Sequence, residues 1–303
     1  MNLSLQLKEI KKNISGQVIF EENLSKYSWF NLGGPAKIVF KPKNLNELSF
    51  FLKKIKGLSK IKVLGMGSNT LIRDGGFDGI IVKLGKPFSH ISLFDKNTVI
   101  AGSSALEKSV SNFGIENSIS GFEFLSCIPG TIGGGIRMNS GCYGKDISKI
   151  LVSAQVMDLD GKLKVIYSKD INFSYRNCDL DNNLIFISAT FRGEIDKKNK
   201  IKERTNDLIK RKKNDQPSKI KTCGSTFKNP ENMKAWKLIK DSGCIGIKVG
   251  DAHISEKHCN FFVNTGKAKS SDLEKLIHKV KEKVLDKTGI NLELEIQIIG
   301  EKL

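Results

Sequence analysis

The amino-acid sequence predicts an α+β protein in three blocks, 1–85, 86–199 and 200–303, and three observations lead there. Through the first two blocks, apolar runs of strand length outnumber stretches with a helical repeat. The third block carries a long capped helix followed by an alternating strand. The 303 residues exceed the ~100–200 of one domain, and a 39% hydrophobic fraction is enough to build several cores.

Taken in order, residues 1–24 are polar and lysine-rich, with a weak helical repeat at Leu3, Leu5, Leu7 and Ile10. Asn44-x-x-Glu47 then starts a helix whose apolar face is Leu45, Leu48, Phe51 or Leu52, and Ile55. Strands at 36–40, 61–64 and 80–84 complete a small β/α/β unit that ends near Gly85-Lys86-Pro87. A strand at 98–101 and a helix over 105–118 come next. Asp160-Gly161, between apolar runs at 152–159 and 162–167, signals a hairpin, and 184–191 reads as a buried strand. A lysine-rich helix over 200–213 leads into the third block, which has a helix at 235–241. There Ser271-x-x-Glu274 reads as a capping box, with Leu273, Leu276, Ile277, Val280 and Val284 as the buried stripe and Gly289 as the stop. The last strand, 292–299, alternates Leu292, Leu294, Ile296 and Ile298 against Glu293, Glu295 and Gln297.

Composition excludes several classes. No stretch approaches the ~20 apolar residues of a membrane span, and the N-terminus has no apolar signal core, so the chain is expected in the cytoplasm. Six scattered cysteines without a CxxC pair, beside only four histidines, suggest neither a disulfide framework nor a metal site, and no metal is expected. The cysteines read as reduced, mostly buried thiols. A net charge of +18 raises nucleic acid as a partner, yet only six of the 50 basic residues are arginine and none of the basic stretches is interleaved with aromatics. Dispersed, solvated lysine explains the charge, and no nucleic-acid partner is expected.

Two glycine-rich stretches carry the first functional signal. In 121–144, Pro129 and Thr131 flank a run in which Gly130, Gly133, Gly134 and Gly135 free the backbone to take angles closed to other residues, so that N–H groups turn toward a diphosphate. The second stretch, Gly65-Met66-Gly67-Ser68-Asn69, comes after an apolar run. It lacks the third glycine and the acidic residue of a dinucleotide-binding Rossmann loop, and residues 70–74 read as a turn and a strand rather than a helix.

GMGSN, IPGTIGGG and NSGCYG together resemble the FAD-binding domains of the vanillyl-alcohol-oxidase (PCMH-type) class. Within that class the chain is similar, over 25–301, to the UDP-N-acetylenolpyruvoylglucosamine reductase (MurB) family. The resemblance implies a two-part FAD-binding domain, 1–85 and 86–199, and a C-terminal α+β substrate domain, 200–303. It also implies non-covalent FAD, NADPH as co-substrate and UDP-N-acetylglucosamine enolpyruvate as the molecule reduced, in peptidoglycan synthesis. The cofactor contacts carried over are Gly65, Gly67, Ser68, Asn69, Pro129, Gly130, Thr131, Gly133, Gly134 and Asn139.

The same resemblance assigns roles to polar residues. Ser225, in Gly224-Ser225-Thr226-Phe227-Lys228-Asn229-Pro230, matches the family's proton donor, with Lys228 as a cation favouring the alkoxide and Asn229 as a substrate contact. Arg176 matches the arginine that grips the substrate carboxylate, a task suited to a planar fork, and Tyr175 before it is expected to contact the substrate. Glu295 matches the family's catalytic glutamate; by periodicity alone it cannot be told from Glu293. His258 lies in a segment similar to the family's sugar-nucleotide end, and Arg137 is expected either at the FAD diphosphate or in solvent. The chain lacks the tyrosine-bearing insertion of some members and so resembles the shorter type II branch. Two rivals stand beside this reading: another flavoprotein oxidase of the superfamily, and a lysine-rich nucleic-acid-binding protein.

Overall fold

The computed structural model describes residues 3–303, with side chains described except at 3–5 and 8; Leu3 and Leu5 of the N-terminal repeat fall among those exceptions. The protein is α+β and divides into two compact units. One comprises Met1–Phe20, Ile38–Gly65 and Gly79–Arg211; the other comprises Glu21–Lys37, Met66–Asp78 and Lys212–Leu303.

The first unit holds helix α1 (Leu3–Asn13), which buries Leu7 and Ile10, and α2 (Leu45–Ile55), which buries Leu48, Phe51, Leu52 and Ile55 as the periodicity predicts. Asn44 caps α2 by accepting the Glu47 N–H at 2.9 Å. Glu47 does not return the bond to Asn44. Its carboxylate takes the N–H groups of Ser15, Gly16 and Lys43 instead, and ties the segment after α1 to the start of α2. Phe51 stacks on Phe40, ring centroids 3.7 Å apart, in a core completed by Ile80 and Val82.

The larger sheet of this unit has the order 163–167, 151–157, 185–192, 98–102, 91–93, antiparallel throughout. Strand Ile185–Arg192 feeds two cores, Ile185 and Ile187 into the one with α2, and Phe186, Ala189 and Phe191 into the other. The predicted hairpin forms, but with a five-residue connection: Met157 pairs with Leu163, and Asp158 accepts the N–H groups of Asp160 and Lys162. The second core is closed by α3 (Glu107–Glu116) and by α4 (Ile132–Arg137), which is formed by the glycine-rich run itself. Helix α5 (Lys198–Asp215) leads out of the unit.

In the second unit, α6 (Ala235–Asp241) and α7 (Ser270–Thr288) pack on a core that includes Phe227 and Phe262 in edge-to-face contact at 5.8 Å. The predicted stripe of α7 is buried and Gly289, at φ 72°, ends the helix. The predicted capping box is corrected. Helix α7 begins two residues earlier, with Lys269 as its N-cap, Asp272 accepts the Lys269 N–H, and the free N–H groups of Ser270 and Ser271 reach the Asp74 carboxylate at 2.8 and 2.9 Å. Glu274 is thereby released to pair with Arg73. The last strand is also shorter than its alternation suggests: only Gln297–Ile299 pairs regularly, in parallel with Thr70–Ile72.

Candidate active site

The glycines of α4 work differently from the expectation. None of Gly130, Gly133, Gly134 and Gly135 has a positive φ. Three of the four are required by close packing: a Cβ at Gly130 would stand 2.7 Å from Glu107 Oε1, one at Gly135 2.6 Å from the same oxygen, and one at Gly133 3.1 Å from the Ser103 Cβ. A Cβ at Gly65 would lie 2.8 Å from Thr131 Oγ1, so the end of the first glycine stretch abuts the second. Among the described residues no acceptor takes the N–H of Gly130, Thr131 or Gly134. The same holds for Met66, Gly67, Ser68 and Asn69, where Gly67 does adopt φ 67°. The undonated N–H groups of Gly130, Thr131 and Gly134, close together in one unit, fit an anionic diphosphate, and so fit FAD.

Several groups near these stretches carry no sequence signal. Lys83 donates to the Gly65 carbonyl, and burial, with the Lys41 charge beside it, pulls its ammonium down to about 8. Burial and the Arg137 charge also lower Lys62. Arg137 does not point freely into solvent: it donates to the Leu180 and Leu184 carbonyls at 2.6 and 2.9 Å and lies 4.9 Å over the Phe186 ring. Glu123, buried, accepts the Gly121 N–H and two bonds from Arg204, and so anchors the start of the stretch. Glu107 is 1% exposed, takes the Ser140 hydroxyl on Oε2, and leaves Oε1 without a partner; burial pushes it up to about 8. Glutamate at the first position of a helix is too common a pattern to have singled it out.

Arg176 sits in the two-residue turn of a short hairpin, Phe173–Ser174 paired with Asn177–Cys178, at φ 56°. Its guanidinium lies 5.0 Å over the ring of the exposed Tyr175, and its charge is felt by Glu107. Asn139, expected at the cofactor, is 3% exposed with its amide spent inside the protein. Nδ2 donates to the Ser174 carbonyl at 3.1 Å and Oδ1 accepts the Ser148 N–H at 3.0 Å.

The remaining candidates lie in the second unit. Gly224, at φ 80°, turns the chain into Ser225, which bridges to Phe261. Asn260 holds the next residues on both sides, its backbone carbonyl taking Thr226 N–H and its amide exchanging two bonds with Phe227. On the opposite edge Thr226 accepts the Glu295 N–H at 2.9 Å, so Glu295 is paired to the residue after Ser225. Asn69 donates to the Glu295 carbonyl and accepts the Gln297 N–H, which ties the first glycine stretch to the same segment.

The structure separates the two glutamates that periodicity could not. Glu293 is exposed and faces Lys228 at 3.5 Å, whereas Glu295 is half-buried. Lys228 thus pairs with the exposed Glu293. Asn229 Oδ1 accepts the Ala235 N–H and caps α6. His258 Nδ1 accepts the Asn260 N–H, its ring stands edge-on to Phe261 at 4.8 Å, and burial lowers its pKa, so it shapes the turn that presents Asn260. Cys223 donates to the Gly67 and Thr70 carbonyls, with burial pushing its thiol up to about 12.

Comparison with known proteins agrees with this geometry. Residues 36–167 match the model of an FAD binding domain, and 216–299 match the C-terminal domain of UDP-N-acetylenolpyruvoylglucosamine reductase. The reductase of that name from Pelagibacter ubique (strain HTCC1062) is 50% identical over 301 residues, 97% of this chain and 100% of its own. The chain belongs to the UDP-N-acetylenolpyruvoylglucosamine reductase family. A Wolbachia member, from the Drosophila simulans strain wRi, is 43% identical over 91% of this chain and 94% of its own. The crystal structure of the MurB enzyme from Thermus caldophilus superposes with a TM-score of 0.82 at 28% identity, covering 95% of this chain and all of that one. The protein is therefore a flavoprotein oxidoreductase with an FAD-binding domain followed by the family's C-terminal domain. No helix among the described residues is long and apolar enough to cross a membrane.

Proposed function

We propose that the protein reduces UDP-N-acetylglucosamine enolpyruvate to UDP-N-acetylmuramate with NADPH, in the cytoplasm, as a step of peptidoglycan precursor synthesis. Blocks 1–85 and 86–199 would hold FAD and block 200–303 the sugar nucleotide. When bound, FAD supplies hydride transfer between NADPH and the sugar. The undonated N–H groups of Gly130, Thr131 and Gly134 would take its diphosphate, with Gly65, Pro129, Gly133, Lys62 and Lys83 in the same unit, while Gly67, Ser68 and Asn69 are cofactor contacts on the family resemblance.

The chemistry demands two services from the chain. Hydride addition to an enol ether conjugated with a carboxylate drives negative charge onto that carboxylate, and the neighbouring carbon then needs a proton. Arg176, steadied on Tyr175, takes the carboxylate charge as a bidentate fork. Ser225 donates the proton, and Glu295 hydrogen-bonds the enol that forms. Lys228, Asn229 and His258 support the sugar-nucleotide end, largely by shaping the segment on which Ser225 sits.

The observation that supports this reading is the backbone pairing of Glu295 with Thr226, which holds the Glu295 main chain beside the serine motif. A steady-state assay tests it: NADPH consumption must require the enolpyruvyl sugar, and the product must weigh one hydride and one proton more than the substrate. NADPH oxidation that depends on oxygen and ignores the sugar would instead identify an oxidase.

A further inference from the structure

We propose that Asn139 is a positioning residue for Arg176: its side chain fastens the arginine hairpin to the end of the glycine helix. This rests on the reading of Arg176 as the group that grips the substrate carboxylate.

The hairpin cannot hold its own shape. It has only two paired positions on each strand, Phe173 with Cys178 and Ser174 with Asn177, and isolated ribbons of that size are unstable in water. Its turn places a non-glycine residue, Arg176, at φ 56°, a conformation that persists only where the surroundings impose it. Anchors exist at its base. Asn172 gives two bonds to Asp179, Arg137 holds the Leu180 and Leu184 carbonyls, and Phe173 and Cys178 pack on the core.

Near the turn Asn139 supplies a tie: its Nδ2 donates to the carbonyl of Ser174, two residues from Arg176. Asn139 is itself set with care. It lies just after α4 at φ 42°, where asparagine is among the few residues tolerated, and its N–H is bonded to the Ile136 carbonyl. Its Oδ1 takes the Ser148 N–H, which fixes the amide so that Nδ2 points at the hairpin. Next to it, Ser140 bonds Glu107, the buried carboxyl that feels the Arg176 charge. One buried amide thus joins the glycine helix, the segment at Ser148 and the arginine turn. A misplacement of about 1 Å in such a group costs on the order of 100-fold in rate.

The test compares Asn139→Gly, which keeps the left-handed backbone and removes both bonds, with Asn139→Asp, which keeps the shape but turns the donor toward Ser174 into a charged acceptor. Both are expected to retain FAD and to be reduced by NADPH at the wild-type rate. Reoxidation by the enolpyruvyl sugar is expected to slow about 10-fold or more, with the loss mainly in KM. Hydrogen exchange, measured without substrate, is expected to rise at 173–178 and not across the sheet. Unchanged reoxidation in an FAD-loaded variant would overturn the proposal, as would FAD loss with both half-reactions falling together, which would return Asn139 to the cofactor. If the wild-type protein itself fails to be reoxidised by the sugar, it is the proposed function that falls, while the exchange result still decides whether Asn139 holds the hairpin.

Discussion

Main-chain hydrogen bonding sets the segment of Glu295 beside that of Ser225, so either side chain can be changed with the backbone left in place. Ser225→Ala is expected to leave the flavin reducible by NADPH while slowing reoxidation by the sugar by about 100-fold or more, the usual loss on removing a positioned acid. Stopped-flow absorbance of each half-reaction reads this directly; loss of both halves would move Ser225 into cofactor or fold support. Glu107 makes a different kind of prediction. Burial raises its carboxyl from 4.5 to about 8, so between those values the unfolded chain gives up the proton while the folded chain keeps it. Folded stability is therefore fully present below about 4.5 and falls as pH rises toward 8. Glu107→Gln, always neutral, is expected to flatten that fall in a series of thermal melts across the window, and an unchanged slope would exclude Glu107 as its source. Of these residues, Ser225, Glu295 and Arg176 were legible because each stands in a motif. Glu107 and Lys83 were not, because burial and a lone partner are properties of the folded chain. Arg137 could be seen but not placed, since the carbonyls it serves lie more than forty positions away.

At the scale of the element, the glycine helix separates conformational need from space. Gly135→Ala would press a methyl against Glu107, Ile147 and Ser140 at 2.6 to 2.9 Å and is expected to cost about 1–3 kcal/mol, measured by denaturant melts. Gly134→Ala meets nothing nearer than Thr131 Oγ1 at 3.5 Å and is expected to fold as the parent does. Equal costs at the two positions would show that flexibility, not packing, selects these glycines. The sequence pattern showed that this run was special but not that it would be helical, because glycine's spacing carries no helical signal. The capping of α7 has the same origin. Ser271-x-x-Glu274 satisfies the local pattern, yet Asp74 and Arg73, some 200 positions away, compete for the same donors and for the same carboxylate, and they win.

Across the molecule, the strand-rich first two-thirds of the chain and the stripe of α7 come from periodicity, and the α+β class with them. What periodicity does not show is how early segments return to late ones. Thr70–Ile72 pairs with Gln297–Ile299, and Asn69 bonds Glu295, so one compact unit is assembled from residues drawn from both ends of the chain. Such pairings are set by long-range hydrogen bonds that leave no local pattern. The charge of +18 likewise belongs to the whole chain, and its lysines are mostly exposed, consistent with a solvated surface around an enzyme.

The most direct measurement on the central claim is anaerobic. The purified protein, supplied with FAD, is bleached with NADPH and then mixed with UDP-N-acetylglucosamine enolpyruvate while its visible spectrum is recorded. The yellow oxidised spectrum is expected to return on adding the sugar with no oxygen present. A protein that takes up FAD and bleaches but stays colourless after the sugar would contradict the account.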